Sequence, residues 1–247
     1  MAAQARDNSA LSTVVADVAN GVALALDGGG DSYALSALLA QDDAVALAAV
    51  RVLGADVLAP YALGAGAARD TPGGTGIASG SGGSGGADGQ VVLRALAAYP
   101  PGADASDVSL WTYRGLVEAS RAFLPPAGAP WPDEPAAGDA WLHTDPWPKL
   151  SHRASQLAAL ALPGLAPALA AGLAARTDDL ARGFVRAVRR RDWLQAAGVG
   201  RWLSRVRDVP ATLGLDTGLL YVRRMSGADP RVALHTAAAR RLRGDAR

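Results

Sequence analysis

Apolar residues recur at helical spacing from early in the chain: Leu11, Val14, Val15, Val18, Val22 and Leu26 fall three and four positions apart. That period lines one face of an α-helix with side chains that must be buried. Half of the 247 residues are hydrophobic, mostly Ala, Leu and Val with few aromatic rings. Such a mix favours helices packed closely through small side chains. The sequence therefore predicts a mainly α protein, a helical bundle with enough apolar material for a buried core.

Within that frame, residues 1–72 read as an acidic N-terminal helical module. Ser9 is placed to cap its first helix, the glycines from Gly28 stop it, two short helices follow over 32–40 and 43–53, and Gly54 closes the last. No second copy recurs at a fixed period, so a solenoid is not expected. Residues 73–89 hold nine Gly among seventeen and read as a Gly/Ser-rich linker or loop. No strand precedes this stretch and no Lys lies in it, so a phosphate-binding loop is not expected. The Gly-x-Ser-x-Gly spelling near Ser81 is discounted for the same want of a strand.

Residues 90–247 read as a helical body. A short helix over 90–99 ends at Pro100 and Pro101, and Ser106 or Asp107 caps a longer one to about Leu124, with Val108, Trp111, Leu116, Ala119 and Phe123 on one face. Residues 125–148 contain seven Pro and three Trp, which suits neither helix nor central strand. They predict a long irregular Trp/Pro-rich segment draped over the body. Further helices are expected over 150–162, 165–175, 177–194, 195–207, 217–225 and 230–243. Thr177 followed by Asp178 and Asp179, and Asp229 before Pro230, mark the clearest starts.

Charge is divided unevenly: residues 1–150 carry a net −9 and residues 151–247 a net +10. Either the two parts face each other or the basic part meets an anionic partner. The cations are 23 Arg against one Lys, and guanidinium forks pair bidentately with carboxylates and phosphates. Arg186, Arg189, Arg190 and Arg191 load one helix and Arg201 and Arg205 the next, which makes these six the candidate binding residues. The run from Ala197-Gly198-Val199 to Ser204-Arg205-Val206 is similar to part of the helix-turn-helix repressor sequence, but its Ser-Arg-Val falls one residue early. That offset would turn a recognition helix by about 100°. Nucleic acid is accordingly not the favoured partner.

Without Cys there is no disulfide, thiolate nucleophile or Cys-ligated metal. His143, Asp145 and His152 offer two imidazoles and a carboxylate, weak candidates for a metal because the first two lie in irregular sequence. No cofactor is expected. With Glu118 they are also the candidates for acid–base work, in a pocket that Trp131, Trp141 and Trp147 could wall. The competing reading makes those rings plugs in an apolar groove. His235 lies in a stripe with Val232, Ala239 and Leu242 and is expected to pack. Residues 154–175 are uncharged and long enough to span a bilayer, but Pro163, Gly164 and Pro167 break them. A buried hairpin is expected there, no membrane span, and, without a basic-then-apolar leader, a cytoplasmic location. The expected function is a non-catalytic accessory or adaptor protein acting through charge-complementary contacts with a protein partner or with itself. The alternatives are an enzyme, possibly metal-dependent, acting on a small apolar or aromatic molecule, and an anion or nucleic-acid binder.

Overall fold

The computed structural model describes residues 2–29, 33–39, 43–64 and 84–244. Most of the glycine-rich stretch, with Ser81, lies outside them. Among the described residues there are helices and turns and no strand, so the chain is mainly α.

Helix α1 (Ala2–Leu24) starts ahead of Ser9 and runs into a wide turn in which Gly28 adopts φ 139°. Helix α2 is one turn (Leu35–Leu38), and α3 (Ala44–Leu53) is capped by the Asp43 carboxylate on the Val45 amide and closed by Gly54 at φ 58°. A 3₁₀ turn (Gly54–Leu58) and helix α4 (Ala59–Leu63) follow. Helix α5 spans Ser84–Ala98 and so begins six residues before the expected start. Its glycines disfavour helix, but buried Asp88 anchors it. That carboxylate accepts from the amides of Leu35 and Ser36 at 2.8 Å each and from the Tyr61 hydroxyl.

Helix α6 (Asp107–Phe123) carries the expected Ser106 cap. In the Trp/Pro segment residues 125–140 are irregular, and then two helices form, α7 (Trp141–Thr144) and α8 (Trp147–Gln156). Pro148 is tolerated because the first turn of a helix leaves its amides unbonded anyway. The uncharged stretch is broken as expected: a 3₁₀ turn at Ala158–Leu160 and a bend at Ala166 (φ 42°) separate α8 from α9 (Pro167–Ala174).

The helix expected over 177–194 ends early. α10 covers Thr177–Arg189, Arg191 turns the chain at φ 59°, and Asp192 caps α11 (Trp193–Leu203) through the Gln195 amide. Helices α12 (Leu215–Met225) and α13 (Pro230–Gly244) complete the fold, the latter capped by Asp229 on the amides of Arg231 and Val232.

Buried apolar side chains form one cluster that runs from Val15 to Leu242. Helix α11 lies at its centre, packed on α8, α10, α12 and α13, while α1 packs on α3 and α13. Small residues in α11 permit this. A Cβ on Gly198 would sit 2.8 Å from the Ser155 carbonyl oxygen. Among the described residues two helical stretches, Asp7–Gly28 and Ala44–Leu63, are long and apolar enough to cross a bilayer, with mean hydropathy 1.5, and 39% and 61% of their most apolar 18-residue windows is buried inside the fold.

Candidate docking groove

Helix α10 presents its arginines at positions 182, 186, 189 and 190, one stripe by helical spacing. The cations of the last turn also meet the partial negative charge of the helix C-terminus. Glycine at 183 lets α10 lie close on Ser151 of α8, which brings Trp147 beside the stripe. The Arg186 guanidinium lies 5.8 Å from the centre of the Trp147 ring, within cation–π range. Leu213, just ahead of α12, closes the other side. Together with Val185 these residues enclose an open groove of about 890 Å³. Its floor is apolar and aromatic, and its rim is cationic.

The arginines differ sharply in how their charge is used. Arg182 reaches Asp179 at 3.4 Å, and Asp179 also pairs with Arg176. Arg153 holds Asp145, Arg223 and Arg240 share Asp27, and Arg243 pairs with Asp216. Arg186, Arg189 and Arg190 line the groove, are exposed, and have no carboxylate partner among the described residues.

Arg191 is exposed in the turn after α10 and does not line the groove. Arg201 lies in the core rather than on an exposed basic face. It is fully buried and ion-paired to Asp56 on the 3₁₀ turn. Its Nη1 also approaches His235 Nδ1 of α13 at 3.2 Å. Since a guanidinium can only donate, Nδ1 accepts and the ring proton is on Nε2. Burial first, then the Arg201 and Arg231 charges, lower the His235 pKa to about 4 against the pull of Asp56 and Asp229. Arg205 falls just beyond α11, half-buried over Trp202, with Nη1 donating to the Leu160 carbonyl at 3.3 Å. It borders a cavity of about 90 Å³, room for little more than water.

The acid–base and metal candidates are spread over separate structural tasks. Glu118 accepts from the Ala166 amide with both oxygens, at 3.2 and 3.1 Å, and so holds the left-handed residue that starts α9. Asp145 is buried between Lys149 at 3.0 Å and Arg153 at 3.2 Å. His143 and His152 are exposed. Among the described residues no three His, Asp or Glu converge as metal ligands. The Trp rings are divided too: Trp141 is buried and donates to the Gly138 carbonyl at 3.1 Å, Trp131 packs against the core, and Trp147 alone of the three borders the groove.

Sequence reasoning named the arginines and Trp147 but missed Val185 and Leu213, and it missed Asp56 as the partner of Arg201. Position 56 offers no local signal, because it is 145 residues from its partner. The class that fold and groove define is a helical protein with a cationic, aromatic-floored surface groove. Comparison with protein-family models, curated proteins and solved structures returned no match.

Proposed function

We propose that this is a non-catalytic accessory protein that docks an acidic segment of a partner protein in the groove on α10. One observation carries the reading. Arg186, Arg189 and Arg190 surround an apolar floor without carboxylate partners among the described residues, whereas Arg201, Arg223, Arg240 and Arg243 pair with carboxylates within the fold. Unpaired surface cations steer and orient anionic partners. The floor favours a protein over duplex nucleic acid: Val185 is 44% exposed, and a duplex turns its charged phosphates outward while its base faces stay stacked inside, leaving little apolar surface to cover it. A small-molecule reaction finds less support, because the His and carboxylate groups it needs lie apart from this groove.

The test uses the full chain and a fluorescein-labelled peptide rich in Asp and Glu, followed by anisotropy at low and high salt. Replacing Arg186, Arg189 and Arg190 together by Gln is expected to weaken binding roughly tenfold or more and to flatten its salt dependence, since exposed pairs are worth up to about 1 kcal/mol each. Unchanged affinity at both salt levels overturns the proposal. So does tighter binding of random-sequence duplex DNA than of the peptide.

A further inference from the structure

We infer that the crevice between α12, α13 and the turn after α1 is a binding site for a small molecule with an apolar body and one carboxylate head. The site shares no lining residue with the α10 groove and does not depend on the reading of that groove.

The crevice follows from the way α12 packs. The helix buries Leu215, Leu219 and Val222 where it meets α11 and α13. The turn after α1 brings Asp27 to the junction, where its carboxylate accepts from Arg223 of α12 at 3.1 Å and from Arg240 of α13 at 2.5 Å. About 540 Å³ stays open between the three elements, a volume in the range of small-molecule sites. Leu219 and Leu220 line it with apolar surface, and the long arginine side chains add their methylene stems.

The polar groups of the lining decide which head group fits. Both Asp27 oxygens are engaged, one by each arginine. Both Asp216 oxygens are held by the Arg243 fork, one of them at 2.8 Å. The Thr236 hydroxyl donates to the Val232 carbonyl at 2.8 Å and accepts from Arg223 Nη1 at 3.4 Å. Arg224 differs from these: it lines the crevice, is exposed, and has no carboxylate partner among the described residues. A guanidinium can only donate, so the head group that matches it is an acceptor, and a carboxylate meets it through two parallel bonds. An ammonium head would find both aspartates occupied and would face the arginines. The apolar body then covers Leu219 and Leu220, of which Leu220 is 52% exposed, and removal of that surface from water drives the association.

Calorimetric titration of the full chain with monomeric octanoate, octanol and octylamine tests the assignment. Octanoate is expected to bind roughly tenfold more tightly than octanol, about 1.4 kcal/mol, and octylamine more weakly than either. R224Q is expected to bring octanoate down to the level of octanol with an unchanged far-UV circular dichroism spectrum, and L220S to weaken octanoate and octanol alike. Octanoate that does not bind, binds no better than octanol, or keeps its full affinity in R224Q overturns the inference and leaves the α10 groove reading standing. Loss of octanoate binding in R186Q/R189Q/R190Q would place the carboxylate in the α10 groove and overturn the inference as well.

Discussion

Asp56, Arg201 and His235 bring a carboxylate, a guanidinium and a neutral imidazole together where water is excluded. Desolvating such groups costs several kcal/mol, and their mutual attraction offsets it only while the pair is complete. Here the balance is tight, because Arg201 Nε and Nη2 are buried without a protein hydrogen-bond partner. Asp56→Asn is therefore expected to lower stability by about 3–5 kcal/mol, and adding Arg201→Met to recover part of it, measured as denaturation free energies. Asp27→Asn, which breaks partly exposed pairs, should cost about 1 kcal/mol or less. His235 supplies a pH dependence. Its folded pKa of about 4 lies below the ordinary 6.5, so the unfolded chain binds the proton more readily. The stability it contributes is complete above pH 6.5 and declines as pH falls toward 4, by about 3 kcal/mol in all. Denaturation between pH 7 and 5 should show this decline, and His235→Gln should flatten it.

At the scale of elements the central helix is limited by its closest neighbours. Gly198→Ala would place a methyl group against the Ser155 backbone, which cannot move as a side chain could. We expect a loss of about 2 kcal/mol by calorimetry, whereas Asp229→Ala, which removes the cap of α13, should cost about 1 kcal/mol. The contrast also explains what the sequence made legible. Caps are local, so Asp43, Ser106 and Asp229 could be read from their neighbours alone. The break between α10 and α11 could have been read from Asp192, a cap residue following a run of arginines, and from the apolar period itself, which lapses over the four charged residues between Val188 and Trp193. Helix α5 could not be read early, since Asp88 is held by groups more than fifty residues away. The groove was half legible: helical spacing grouped the arginines, while packing of α8 and the residue ahead of α12 supplied its floor.

For the molecule as a whole, part of the opposed charge of its two parts is paired across the fold. Asp27 and Asp56 draw Arg223, Arg240 and Arg201 inward, while Arg186, Arg189 and Arg190 stay exposed without a carboxylate partner among the described residues. The apolar core joins the same two parts, since residues before and after the glycine-rich stretch belong to one cluster. Opening α13 exposes α1, which packs directly on it. The six Trp lie at 111 and beyond, so their fluorescence reports on the later part of the chain alone. Far-UV circular dichroism reports on every helix, α1 and α3 included. In denaturant the two signals are expected to share one midpoint, as a cooperative unit requires, and Asp56→Asn is expected to shift both by the same amount. Two separate midpoints would show that residues 1–72 fold as a module of their own, with the Asp56–Arg201 pair a contact between units rather than part of one core.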